Sequence, residues 1–217
     1  MNKVKKSANP YSSDWDIKLR PLLEKYSGKK HPLNYGNIYQ LVVMTILSAA
    51  DTGQHVNKIA PALFAIYPDM KSLKKANLEE LQTALKGVTG YRQKAESLID
   101  LATIVKSDAG IPLTMEALSA LPRIGRKTAN VIQREAKVKA EGVIVDLHVL
   151  RVGPRLGIAK GIKADDIEKQ LMQTVSQHNW GEVGMGLSFL GRETCRPKEP
   201  KCGECVVNKV CEYFASK

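Results

Sequence analysis

The sequence predicts an all-α protein, on three observations. Apolar residues recur at helical spacing through most of the chain. Side chains that cap helices stand ahead of several of those stretches. No pair of alternating strand-like runs is joined by a hairpin turn. Residues 39–49 (YQLVVMTILSA) are apolar nearly all round, the pattern of a central, buried helix. A helix over 56–67 follows. Residues 78–85 open after Asn77, an N-cap type, with Glu80 placed to complete a capping box. In 93–106, Ala95, Leu98, Ile99, Ala102 and Val105 recur at helical spacing, and 115–120 follows the cap candidate Thr114. Helices over 125–137, 146–156 and 165–175 complete the series. VIVDLHV (143–149) is the one stretch with strand character, read here as a helix entrance.

Composition narrows the function. A chain of 217 residues allows one compact unit or two small lobes, and 43% apolar with 25% charged residues excludes wholesale disorder. No apolar run is long enough to span a membrane. The start, MNKVKKSANP, is basic with no apolar segment behind it; it does not read as a secretory signal, and residues 1–12 read as a mobile basic tail. The expected compartment is therefore the cytoplasm. Lys and Arg number 33 against 22 Asp and Glu, a net charge of +11 that favours a polyanionic partner: DNA, RNA or an anionic membrane face. A merely basic surface is the alternative.

The four cysteines, Cys195, Cys202, Cys205 and Cys211, fall within the last 23 residues. In a reducing compartment disulfides are rare, so clustered thiols suggest a metal site. The spacing Cys-x6-Cys-x2-Cys-x5-Cys holds one Cys-x2-Cys pair, where zinc ribbons use two. A compact loop around a larger object favours an iron–sulfur cubane over a zinc ion. With Pro197, Pro200 and Gly203, residues 192–209 have too little apolar content to fold alone, so the cluster would staple them; a redox role stays open. Arg192, Arg196, Lys198 and Lys201 make the same loop a candidate phosphate clamp.

LPRIGRKTAN (121–130) places a tight turn between two helical stretches, a helix–hairpin–helix pattern. Backbone N–H groups at the start of the second helix suit a DNA phosphate, and Gly125 would supply a positive-φ position or a close backbone approach. A plain turn is the alternative. Lys127 reads either as a phosphate contact or as a nucleophile toward a sugar carbon, with Arg126 a cationic neighbour in sequence. Asp146, after three β-branched residues, reads as the N-cap of the next helix, as a carboxylate that activates a nucleophile or stabilises cationic charge, or as both. His148 reads as structural or phosphate-facing.

Together these residues resemble the endonuclease III family, the iron–sulfur branch of the helix–hairpin–helix DNA glycosylases. The matching pieces are LPRIGRKTANVI (121–132), VDLHVLRV (145–152), GRETC (191–195) and the cysteine spacing, with ILSAADTGQHVNK (46–58) and GYRQKAESL (90–98) matching more loosely. The resemblance spans roughly residues 30–213 and implies a two-lobed, all-α fold. Residues 31–137 would form a six-helix barrel lobe with the hairpin. Residues 1–30 and 138–217 would form the second lobe, carrying a [4Fe-4S] cluster on loop 195–211, with DNA between the lobes. It implies a monomer acting in base excision repair on nucleoid DNA, with double-stranded DNA containing damaged bases or abasic sites as partner and the damaged nucleotide flipped out. Lys127 would attack C1′ and form a Schiff base, and β-elimination would cut the strand; Asp146 would assist attack and stabilise oxocarbenium-like charge. Arg123, Gly125, Arg126 and Thr128 would hold DNA at the hairpin, and Arg192, Arg196, Lys198 and Lys201 at the cysteine loop.

Four departures stand out. Arg123 replaces the first glycine of the family's LPGVG, and Leu147 the threonine of VDTH. Ala50 and Gly53 stand where the pocket helix has glutamine and aspartate, and Thr89-Gly90-Tyr91 where relatives read GLY or GFY. Tyr91 and Gln54 are then the candidates for filling the gap left by a flipped base. The familiar substrate class is oxidised pyrimidines. The altered pocket opens two alternatives, an alkylated-purine or mismatch glycosylase and a non-catalytic binder of damaged DNA; Lys127 and Asp146 together argue against the latter.

Overall fold

A computed structural model describes residues 13–217; the basic stretch 1–12 lies outside them. Every regular element among the described residues is helical. In chain order these are α1 (Asp14–Lys18), α2 (Arg20–Tyr26), α3 (Ile38–Leu47), α4 (Gly53–Ile66), α5 (Met70–Lys74), α6 (Leu78–Ala84), α7 (Tyr91–Val105), α8 (Met115–Ser119), α9 (Arg126–Glu135), α10 (Leu147–Leu156), α11 (Ala164–Thr174), α12 (Trp180–Glu193) and α13 (Glu212–Ala215). None is long and apolar enough to cross a membrane.

The caps follow from side-chain chemistry. Asn77 accepts the N–H groups of Glu79 and Glu80, and Thr114 that of Ala117. Helix α4 starts at Gly53, earlier than the apolar pattern suggests, because Thr52 accepts the His55 N–H at 3.1 Å. The run Val143–Val145 is buried without strand partners and leads straight into α10, whose cap is Asp146.

The chain divides into two compact units. One is Lys30–Glu141, and the other is the described part of Met1–Lys29 together with Gly142–Lys217. The first holds seven helices, two of them only five residues long, α5 and α8. Its centre is α3, in which Tyr39 and every residue from Leu41 to Leu47 are buried. Each of its large aliphatic side chains contributes roughly 1.5–3 kcal/mol of burial. Residues 138–141 stay with this unit because Gln133 holds Glu141: the Gln133 amide donates to Glu141 Oε1 at 2.5 Å, and the Glu141 N–H donates back at 3.2 Å.

The second unit centres on α12, in which Val183 to Gly191 are all buried. The apolar pattern misses this helix because four glycines interrupt it, and glycine disfavours helix interiors. Close approach explains two of them. A Cβ on Gly184 would lie 2.6 Å from the Ile144 backbone nitrogen, and one on Gly191 would lie 2.7 Å from His148 Cβ. Their small size lets α12 press against the segment that carries Asp146.

Candidate functional site

The hairpin between α8 and α9 is built on Leu118, Leu121 and Ile124, all buried. Its strained residue is Arg123, at φ +58°. A non-glycine residue held there costs about 1–2 kcal/mol. An opposing bond helps hold it: Arg123 Nε donates to Ser97 Oγ of α7 at 2.8 Å. Gly125 does not supply the expected positive φ. It sits at φ −88°, ψ 174° as the N-cap of α9, because the reversal has already been made at Arg123. Nothing lies within 4 Å of where its Cβ would be, so the backbone stays open to approach. Arg126, Lys127 and Thr128 form the first turn of α9, which no side chain caps. Arg126 and Lys127 are exposed, Thr128 is half-buried, and Ala129 to Gln133 anchor the helix below.

Asp146 caps α10 and is almost fully engaged. Oδ1 accepts the N–H groups of His148 at 2.9 Å and Val149 at 3.0 Å. Oδ2 accepts the Ser188 hydroxyl at 2.6 Å and faces the Arg192 guanidinium at 3.4 Å. Burial pushes this carboxyl up. The Ser188 and Val149 bonds, with the charges of His148 and Arg192, outweigh it and hold Asp146 below the usual carboxylate range. The group is thus an anion at neutral pH. The neighbouring Leu147 is 79% exposed. His148 is half-buried and contacts Arg151 at 3.3 Å; burial lowers its pKa against the opposing pull of Asp146.

The four cysteines line one pocket, with Thr194, Pro200, Tyr213 and Phe214 around them. No three His, Cys, Asp or Glu side chains among the described residues are grouped so that they could hold a single metal ion. Two arginines of α10 grip the start of this loop. Arg151 donates to the carbonyls of Gly191 at 2.8 Å and Cys195 at 3.0 Å. Arg155 donates to those of Arg196 at 2.7 Å and Pro197 at 3.1 Å, approaches Cys195 Sγ at 3.6 Å, and stacks over the Tyr213 ring. Arg192, Arg196, Lys198 and Lys201 are all exposed, Lys201 beside Glu204 at 3.5 Å.

Of the pocket candidates, Ala50 is exposed at φ +56°, Gln54 is exposed on the first turn of α4, and Tyr91 is half-buried at the start of α7 under Arg92. Three unanticipated residues fix these loops. Asp51 accepts the Thr52 N–H at 2.7 Å and pairs with His55 at 2.9 Å, while its second oxygen accepts the Thr89 N–H at 3.0 Å. Lys94 is buried and donates to the carbonyls of Leu47 at 2.7 Å and Ala49 at 2.6 Å, closing the C-terminus of α3. A signal for Lys94 existed, since a lysine on the apolar stripe of Leu98, Ala102 and Val105 needs a buried partner.

Although burial opposes it, the Thr89, Thr52 and His55 partners lower the Asp51 pKa from 3.8 to about 2. Its contribution to stability is complete above pH 4 and disappears as pH falls through about 2. Asp51→Ala is expected to cost on the order of 1–3 kcal/mol at neutral pH and to flatten the acid end of the stability profile. Urea titrations at pH 7 and pH 3 check it; an unchanged profile counts against the bridge.

Comparison with known proteins shows the family and the fold. Residues 43–177 match the model of the HhH-GPD superfamily base excision DNA repair protein. Endonuclease III of Synechocystis is 36% identical over 88% of this chain and 88% of its own length. Endonuclease III of Escherichia coli K12 is 31% identical over 84% and 89%. Among solved structures, a trapped endonuclease III–DNA covalent intermediate superposes with a TM-score of 0.82 at 28% identity, over 93% of this chain and 96% of that one. A thermostable thymine-DNA glycosylase shares the fold, with a TM-score of 0.80 at 23% identity over 93% and 97%. The chain therefore belongs to the HhH-GPD superfamily of base excision DNA repair proteins, within its endonuclease III family.

Proposed function

We propose that this chain is a bifunctional DNA glycosylase and abasic-site lyase, with Lys127 as nucleophile and Asp146 as the charge-stabilising carboxylate. The observation that carries the reading is an exposed lysine on the first turn of the hairpin helix, in a chain 36% identical to an endonuclease III. The neutral Lys127 amine attacks C1′ of the sugar, and the glycosidic bond breaks as the base leaves with its electron pair. Opening of the sugar ring leaves C1′ doubly bonded to Nζ. Loss of a C2′ proton then expels the 3′ phosphate. The ionised Asp146 stabilises the positive charge that builds on the sugar as the base departs. Arg126, Thr128 and the open backbone at Gly125 hold one stretch of phosphates, and Arg192, Arg196, Lys198 and Lys201 hold another. Arg123, tied to Ser97, aids the hairpin grip chiefly by shaping it.

The family implies an iron–sulfur cluster, and the chain has four cysteines. The four cysteines line a common pocket and carry the thiols that an iron–sulfur cluster needs, so a [4Fe-4S] cluster held by Cys195, Cys202, Cys205 and Cys211 is the assignment. When bound, it supplies four thiolate–iron bonds that cross-link the loop. The protein would act as a monomer on nucleoid DNA in the cytoplasm.

Oxidised pyrimidines are the expected substrates. The small residues Ala50 and Gly53 favour a second reading, a bulkier alkylated purine or a mismatched thymine. Duplexes carrying thymine glycol, 3-methyladenine, mismatched thymine or an abasic site, each with and without borohydride, test both. The expected result is excision of thymine glycol and a trapped adduct on the abasic duplex. No trapped species on any duplex overturns the lyase reading. Excision of 3-methyladenine or mismatched thymine alone replaces the substrate.

A further inference from the structure

Hydroxyls on the helices of this protein mostly turn back on their own backbone. Thr45 donates to the Val42 carbonyl, Ser48 to Thr45, Thr83 to Glu79, Ser97 to Gln93 and Thr174 to Gln170. This is the ordinary fate of Ser and Thr inside a helix. Ser188 behaves differently. It is 1% exposed and the only polar side chain in the buried stretch Val183–Gly191. Its hydroxyl donates across to Asp146 Oδ2 at 2.6 Å, 42 residues away in sequence. Arg192 Nε, one turn further along α12, reaches Ser188 Oγ at 3.4 Å. Gly184 and Gly191 let α12 come close enough for this bond to form.

We propose that Ser188 is a positioning residue for base excision, its buried hydroxyl fixing the orientation of the Asp146 carboxylate. The inference rests on the charge-stabilising role assigned to Asp146 above. The two N–H groups of α10 hold Oδ1 alone and leave the carboxylate free to pivot about that oxygen. Oδ2 would otherwise meet only the partly exposed Arg192 at 3.4 Å, a long contact that a DNA phosphate could draw away. The short bond from Ser188 lies inside the protein and does not depend on DNA. It consumes one lone pair of Oδ2; the other, faced only by the long Arg192 contact at 3.4 Å, is the one offered to charge developing on the sugar.

Ser188→Ala removes the hydroxyl without adding volume, and Ser188→Cys replaces it with a weaker donor of similar size. Single-turnover excision of the lesion base is expected to fall about tenfold in the alanine variant, with an intermediate value for cysteine. Cleavage of a preformed abasic site, where no base departs, is expected to stay within about twofold, as is the KM for duplex. The charged groups acting on Asp146 are His148 and Arg192. Loss of the hydroxyl donor destabilises the anion, so the acidic limb of the excision profile moves to higher pH. In an Asp146→Asn background, Ser188→Ala should cost nothing further.

A purely structural serine would lower excision and abasic cleavage alike, together with thermal stability, and would leave the acidic limb in place. That result, or wild-type excision in both Ser188 variants, overturns the proposal. Wild-type excision by Asp146→Asn alone instead overturns the role of Asp146. A slow Asp146→Asn beside a fast Ser188→Ala refutes only the positioning role.

Discussion

Lys127→Ala is expected to abolish the borohydride-trapped adduct on an abasic duplex, with strand cleavage down by about 10³-fold or more. An amine proposed to become covalently bound to the sugar has no substitute in the first turn of α9, where its neighbours are a guanidinium and a hydroxyl. Duplex binding should change only a few-fold. Lys127 is one cation among many, and the open Gly125 backbone and the exposed Arg126 remain. Gel analysis of the trapped complex, beside an anisotropy titration, separates the two effects. A variant that still traps DNA at the wild-type level removes Lys127 from the chemistry. One that loses trapping only in proportion to binding makes it a phosphate contact.

The second large effect is expected at the cysteine loop. Between Cys195 and Cys211, Val207 is the only buried side chain, so ordinary burial contributes little to holding this segment. Cys205→Ser removes one of the four proposed cluster ligands, in the middle of the loop. The visible absorbance of the cluster should be lost, and stability should fall by about 3 kcal/mol or more, roughly 10 °C in Tm. Trypsin should then cut at Lys198 or Lys201. The side-chain hydrogen bonds of Arg151 and Arg155 reach only Cys195, Arg196 and Pro197 of this loop, and the exposed Lys198 and Lys201 lie beyond them. A variant without absorbance that keeps wild-type trypsin resistance would show that the protein holds this loop without the cluster.

What could be read from the chain follows the range of the forces involved. Asp146 as an N-cap, Asn77, Thr114 and the buried helix α3 depend on neighbours a few residues away, and local patterns report them. The hairpin was visible as a turn, but its geometry was not. Arg123 can occupy a glycine-favoured conformation partly because Ser97, 26 residues earlier, holds it there. Helix α12 was hidden because its glycines answer to the Ile144 backbone and His148 rather than to helix propensity. The partners of Asp146 and Asp51 lie 42 and 38 residues off, beyond any periodicity. Helices α1, α2 and α5 span seven residues or fewer, too short to show a repeating stripe; α6 and α8 are as short and were legible through their caps, Asn77 and Thr114.

Helix α10 acts as a strut. Its cap is the proposed charge stabiliser, and Arg155, about 13 Å along the axis at 1.5 Å per residue, clasps the backbone beside the first thiol. Both groups belong to one ten-residue helix, so a shift at its far end bears on its cap. Damage to the distant loop would therefore reach the carboxylate proposed to stabilise charge on the sugar, although no sulfur atom has a part in the proposed reaction.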